Sequence, residues 1–167
     1  LVNKIPSIAV PNKMYKNEGD MKFTDEGANW GFTENSFSNG AAYADFDNDG
    51  NKDLFISSGI VKRPVDLDYI RFVSDLDMRK GRQQTDKYDE VAIKSMPDGS
   101  SHPYFFRNEG GISFKDVSQD WGTGDMKGYF TGSSYADLDN DGNLDVVINS
   151  INAPAIILKN NAPFKTM

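Results

Sequence analysis

Asp45-Phe-Asp-Asn-Asp-Gly-Asn-Lys-Asp53 and Asp137-Leu-Asp-Asn-Asp-Gly-Asn-Leu-Asp145 are the same nine-residue stretch but for two positions. Each has aspartate at positions 1, 3, 5 and 9, glycine at position 6 and asparagine at position 7. Each follows a small-residue run, Ala41-Ala-Tyr-Ala44 or Ser133-Ser-Tyr-Ala136, and leads into an apolar one, Leu54-Phe-Ile-Ser57 or Val146-Val-Ile-Asn149. Asp, Asn and Gly favour turns, and short β-branched and aromatic runs on either side favour strands. The chain is therefore mostly β, with two acidic loops joining strand pairs.

Further matches surround the loops, as expected of a repeat. Tyr15-Lys-Asn-Glu-Gly19 matches Phe106-Arg-Asn-Glu-Gly110, Phe23-Thr-Asp25 matches Phe114-Lys-Asp116, and Trp30-Gly31 matches Trp121-Gly122, all displaced by 91 residues. Beyond the tryptophans the displacement is 92. A third copy begins at Ile157-Leu-Lys-Asn160, which resembles Met14-Tyr-Lys-Asn17 and Phe105-Phe-Arg-Asn108. Asn108 to Asn160 is 52 residues and Asn17 to Asn108 is 91, so the period is 52 and the first unit carries 39 extra residues between Ile60 and His102. The organisation is a first repeat over 1–60, an insertion over 61–102, a second repeat over 103–153 and the first strand of a third over 154–167.

Four short strands are expected in each unit, separated by Asn-Glu-Gly, Trp-Gly and Asp-Gly turns. They fall near Lys13 to Asn17, Phe23 to Asp25, Ala41 to Phe46 and Asp53 to Ser57, and near Tyr104 to Arg107, Phe114 to Asp116, Ser133 to Leu138 and Asp145 to Asn149. The insertion has a different period. Tyr69, Phe72, Val73 and Leu76 recur at helical spacing after Pro64 and Asp66, which predicts an amphipathic helix ending near Gly81, with Arg79-Lys-Gly-Arg82 at its C-terminus, and a weaker helix follows from Thr85 to Ser95.

The loops carry the chemistry. Calcium takes six to eight hard oxygen ligands, and alternate carboxylates on a tightly bent loop, with a backbone carbonyl added, supply that set. In the first loop the candidates are Asp45, Asp47, Asp49, Asn51 through its carbonyl, and Asp53, with Gly50 at the bend. In the second they are Asp137, Asp139, Asp141, Asn143 and Asp145, with Gly142 at the bend. Four carboxylates held this close repel one another unless a cation stands among them. An EF-hand needs a bidentate glutamate at position 12 and flanking helices. Position 12 here is Ile56 or Ile148, inside strand-like runs, so that reading fails in both copies. An acidic surface turn without metal is the plainer alternative, and the recurrence of the whole pattern at equivalent repeat positions weighs against it.

Charge agrees. The formal balance is −7, and without the eight loop aspartates it becomes +1, so the acidity is concentrated at two points. A net negative chain is a poor nucleic-acid ligand. No apolar run approaches the length of a membrane-spanning helix, and zero cysteines exclude disulfides and thiolate metal sites. The start lacks Met and signal-peptide character, which is compatible with an export signal or upstream domains having been removed.

Asp-x-Asp-x-Asp-Gly-x-x-Asp followed by an apolar strand and preceded by Ala-Ala-Tyr-Ala or Ser-Ser-Tyr-Ala resembles the FG-GAP/VCBS repeats of integrin α-subunit propellers and of bacterial cell-surface proteins. With Asn-Glu-Gly and Phe-Thr-Asp added, the resemblance is strongest to bacterial VCBS proteins related to cartilage acidic protein. It implies β-propeller-type blades stabilised by two calcium ions. Two and a half units are too few for a ring of four to eight blades, so the implied arrangement is a piece of a larger propeller, an open one, or a self-associated one. Lys52 departs from the pattern: it stands where Leu144 and the family's usual apolar residue would be, which loosens the first loop.

Function follows at the level of class. The resemblance implies a non-catalytic scaffold that binds a protein or glycan at a bacterial surface, in an extracellular or periplasmic setting. The alternative is part of a calcium-dependent carbohydrate-active enzyme, since some polysaccharide lyases are calcium-containing propellers. No catalytic residue is assigned. His102, the single histidine, is expected to be a solvated loop residue. Tyr104, Phe105 and Phe106 are expected to face inward with one strand face left free, and Trp30 and Trp121 to anchor packing between units.

Overall fold

A computed structural model describes residues 10–61, 94 and 98–163. The chain divides into two compact units, Leu1–Ile8 with Ile60–Gly99, and Ala9–Gly59 with Ser100–Met167. In the first, the expected helical insertion with its stripe Tyr69, Phe72, Val73 and Leu76 lies outside the described residues, of which Lys94 is helical. Its ends are described: Ile60 and Gly99 form an antiparallel bridge, with the Ile60 N–H donating to the Gly99 carbonyl at 2.9 Å. A Cβ on Gly99 would lie 2.6 Å from the Ile60 carbonyl oxygen, so this closure requires glycine.

The second unit is built from β1 (Val10–Pro11), β2 (Tyr15–Gly19), β3 (Lys22–Asp25), β4 (Asn35–Ser36), β5 (Ser38–Ala44), β6 (Asp53–Ser58), β7 (Tyr104–Asn108), β8 (Phe114–Asp116), β9 (Phe130–Ala136), β10 (Asp145–Ser150) and β11 (Ile156–Leu158). It is mostly β, as the residue pattern predicts. All eight expected strands are present, and the two before the acidic loops start earlier than the apolar pattern indicates and end before Asp45 and Asp137.

β5, β6, β7 and β8 form one antiparallel meander, with Phe55 opposite Ala42 on one side and Phe105 on the other. β9, β10 and β11 form a second sheet, in which Val146 faces Tyr135 and Leu158. β2 pairs with β3, and β1 with β4. The sheets are out of step with the sequence repeat by two strands. Each acidic hairpin, β5–β6 or β9–β10, completes its sheet with a strand from the following copy.

The edge strands β5 and β9 of the two sheets approach closely. Asn39 Nδ2 donates to the Phe130 carbonyl at 2.8 Å, and Ser57 Oγ donates to the carbonyls of Gly40 and Thr131 at 3.3 and 3.2 Å. The bulky residues of β7 point alternately to two cores. Phe105 joins Phe46, Phe55, Phe130, Val146 and Ile148 between the two sheets, and Tyr104 and Phe106 join Phe32 and Ile56 on the opposite face. Neither face of this strand is free, which corrects the expectation of one open face. Burial of this many aromatic and branched side chains is the main favourable term holding the unit together.

Both tryptophans sit where a single helical turn ends. The Trp30 N–H donates to the Glu26 carbonyl and the Trp121 N–H to the Val117 carbonyl, each at 2.9 Å. Trp30 packs on the cluster of Phe32 and Phe106, and Trp121 edges onto Phe105 at 5.2 Å between centroids. Among the described residues no helix is long and apolar enough to cross a membrane.

Candidate metal centres

Each acidic loop is the connection of a hairpin, so the strand register fixes where its ends stand: Ala44 faces Asp53 and Ala136 faces Asp145. The two loops share one backbone course. Position 4 is left-handed in both, Asn48 at φ 57° and Asn140 at φ 60°, a conformation asparagine tolerates better than most residues. Position 6 is also left-handed, with Gly50 and Gly142 both at φ 88°. A Cβ on Gly50 would meet nothing within 4 Å, so there the demand for glycine is conformational and not steric.

The first aspartate turns the loop around its own carboxylate. Asp45 Oδ1 accepts from the Asp49 N–H at 3.1 Å and Oδ2 from the Gly50 N–H at 2.9 Å. Asp137 does the same for the Asp141 and Gly142 N–H groups, also at 3.1 and 2.9 Å. Position 5 braces position 7: Asp49 Oδ1 accepts from the Asn51 N–H at 2.7 Å, and Asp141 Oδ1 from the Asn143 N–H at 2.9 Å. These contacts aim the carboxylates at one small volume.

Carboxylate oxygens of Asp45, Asp47 and Asp49 lie within 4.8 Å of one another, and so do those of Asp137, Asp139 and Asp145. Calcium–oxygen distances of about 2.3–2.6 Å put ligands on opposite sides of the ion about 5 Å apart, so these groups have the right spread for one cation each. The donors are all hard oxygens, which suits calcium and not zinc or copper. Of the sequence candidates, Asp53 stands outside the first trio and Asp141 outside the second. Asn143 is buried, and its side-chain Oδ1 accepts from Asn48 Nδ2 at 2.7 Å, which links the two loops and leaves its backbone carbonyl as the ligand atom it could offer.

Position 9 has a second duty that ligand counting alone does not reveal. Asp53 is fully buried, with Oδ2 accepting from the Phe46 N–H at 3.0 Å and Oδ1 from the Asn108 N–H at 2.9 Å. Asp145 is 2% exposed and makes the same pair of bonds, from the Leu138 N–H at 3.0 Å and the Asn160 N–H at 2.8 Å. Each carboxylate thus clips its own loop to the strand that arrives from the next copy. The asparagine completes the clip: Asn108 Nδ2 donates to the Lys52 carbonyl at 3.1 Å and Asn160 Nδ2 to the Leu144 carbonyl at 3.2 Å. Burial pushes the Asp53 carboxyl up to about 6, against the pull of its two backbone donors.

The loops differ in their neighbouring cation. Lys159 holds Asp139 by its ammonium group and stands 3.5 Å from Asp141 Oδ2. That ion pair raises the Lys159 ammonium above its ordinary value and lowers the Asp139 carboxyl. Lys52 instead lies over the Tyr43 ring at 5.7 Å, so the apolar position it replaces is filled by a cation–π contact. His102 is a loop residue, as expected, and is half-buried. Its ring packs on Tyr104 at 4.2 Å between centroids, and Nδ1 lies 3.1 Å from the Pro103 carbonyl. Sequence reasoning missed Lys159, Asn108 and Asn160. Their recurrence at one repeat position, basic residue then asparagine, was the available signal.

The FG-GAP-like repeat model matches the chain at residues 7–56 and 85–148. The matched segments include both acidic loops and cover more than half of the sequence, so this chain belongs to the FG-GAP-like repeat family. No curated protein matches it.

Proposed function

We propose that this chain is a calcium-binding β-propeller-like repeat module that acts as a non-catalytic scaffold, with one ion in each acidic loop. The observation that carries the reading is the pair of all-oxygen carboxylate clusters, each within 4.8 Å and on the same loop backbone. Asp45, Asp47 and Asp49 would hold the first ion with the Asn51 carbonyl. Asp137, Asp139 and Asp145 would hold the second with the Asn143 carbonyl. Asp53 and Asp141 extend these sets once the ion draws the carboxylates inward. Calcium would supply charge neutralisation and loop rigidity, not bond chemistry.

Two features support a scaffold over a lyase-like enzyme. The single histidine is packed on Tyr104 at the base of β7, and the loop aspartates are engaged in holding the loop. The ligand is a protein or glycan met by loops on one face, with further blades or a second copy completing the ring, in an extracellular, cell-surface or periplasmic setting where calcium is abundant.

The test is thermal melting with chelator and with several millimolar calcium. Sites in extracellular modules bind at about 10⁻⁴–10⁻³ M, and a tenfold excess over Kd stabilises the native state by about 1.4 kcal/mol per site. The expected outcome is a clear rise in Tm with calcium that magnesium does not reproduce, because magnesium demands a tighter octahedral geometry. Identical melting with chelator and with calcium would remove the metal reading.

A further inference from the structure

Three copies of one triplet stand at the same repeat position: Lys16-Asn17-Glu18, Arg107-Asn108-Glu109 and Lys159-Asn160-Asn161. In extended chain, residues two apart share a face, so the basic residue and the third residue are neighbours. In the first copy Lys16 Nζ reaches both oxygens of Glu18 at 3.0 Å. In the second Arg107 pairs with Glu109, through Nε at 3.0 Å and through a terminal guanidinium nitrogen. In the third the glutamate is replaced by Asn161, which has no charge to offer, and Lys159 turns to the acidic loop instead, onto Asp139 and Asp141.

The backbone puts the second and third basic residues in like places. Asn108 and Asn160 are each clipped by the ninth aspartate of a loop, Asp53 and Asp145. Arg107 and Lys159, one residue earlier, each therefore stand beside the rim of that loop. Asp47 and Asp49 act on Arg107 as longer-range charges while Glu109 holds it. The two rims thus have the same cation within range, diverted in one case and engaged in the other.

We infer that Lys159 is a tethered counter-ion that competes with the metal at the second acidic loop, and that the residue two positions after the base, Glu109 or Asn161, sets how strongly each loop takes up calcium. This rests on the calcium reading proposed above and adds to it a cation that must give way. The ammonium neutralises Asp139 and Asp141 in the metal-free loop and must leave both before an ion can use them.

The experiment is calorimetry with calcium chloride on the whole chain, with each site read alone after silencing the other by Asp45→Ala or Asp137→Ala. Lys159→Met, which keeps the apolar stem, should tighten the second site about three- to fivefold, the weight of one exposed ion pair. Asn161→Glu should tighten it by a smaller factor, by recapturing Lys159 as Glu18 and Glu109 capture their partners. Glu109→Asn should weaken the first site by releasing Arg107 onto Asp47 and Asp49. The three variants lie on exposed positions, and a melting curve in chelator checks that each is folded. Two filled sites whose affinities ignore all three substitutions would overturn the counter-ion assignment and leave calcium binding standing. Failure of both loops to take up calcium in the parent and in every variant would overturn both.

Discussion

The hairpin β2–β3 and the pair β7–β8 have matching sequence and matching register, yet opposite surroundings. Tyr15 faces Asp25 and Asn17 faces Phe23 in one, and Phe106 faces Asp116 and Asn108 faces Phe114 in the other. Both asparagines accept the N–H two residues ahead, Gly19 at 2.8 Å and Gly110 at 3.0 Å. Tyr15 nonetheless remains 58% exposed where Phe106 is 1% exposed. The difference is the strand on the other side. β7 runs along β6 and receives the Asp53 carboxylate on its Asn108 N–H, and among the described residues β2 pairs with β3 alone. Local sequence is enough to make the hairpin; burial needs an acidic-loop strand from the preceding copy.

Substitution at the matched positions should separate these two contributions most strongly. Phe106→Ala is expected to cost about 3–5 kcal/mol, as for other buried aromatic truncations, while Tyr15→Ala stays within about 0.5 kcal/mol. Urea denaturation of the two variants measures this directly, and similar losses at both positions would break the comparison.

The clip comes next. Asp53→Ala leaves the buried N–H groups of Phe46 and Asn108 without their acceptor, and a buried donor left unsatisfied costs about 1–3 kcal/mol. Its loss should appear as a lower urea midpoint, whereas Asn17→Ala, at the position that no acidic loop clips, should leave the midpoint close to that of the parent.

A pH series sharpens the same point. The Asp53 carboxyl sits at about 6 in the folded chain against 3.8 for the free side chain, so the folded state holds this proton more tightly than the unfolded one. Its contribution to stability is complete below about pH 4 and is lost as the pH rises through about 6. In chelator, the Tm of the parent relative to that of Asp53→Asn should therefore increase as the pH falls from 7 toward 4. A Tm difference that is flat across this window would contradict the burial of that carboxyl.

The smallest effect is expected from the insertion. Ile60 and Gly99 already close its base with a bridge, and closure entropy changes by only about 0.6 kcal/mol per doubling of loop length. Replacing residues 61–98 by a short turn should leave the sheets folded and both loops able to take up calcium. An unfolded product would place the insertion in the core.

Much of this architecture can be read from the residues. Asp, Asn and Gly at loop positions 1 to 7 declare a bent acidic turn, and the 52-residue spacing of Asn108 and Asn160 declares the repeat. Strand partners cannot be read this way. The period says that β2 and β7 are equivalent, but it does not say that β7 belongs to the sheet of β6, because strand pairing is decided across a gap of chain. Asp53 was legible as a loop carboxylate and illegible as a clip, since its acceptor role depends on Asn108, 55 residues away. Lys159 escaped for the same reason: its partners Asp139 and Asp141 lie in a loop that precedes it by about one strand pair.

Calcium stoichiometry tests the central claim most directly. Equilibrium dialysis of the parent chain at several millimolar calcium should give two ions per chain, and Asp45→Ala or Asp137→Ala should each give one, because the loops lie in different repeats and each holds its own carboxylate cluster. No bound ion in the parent, or loss of both ions from either single variant, would contradict the account of two separate calcium loops.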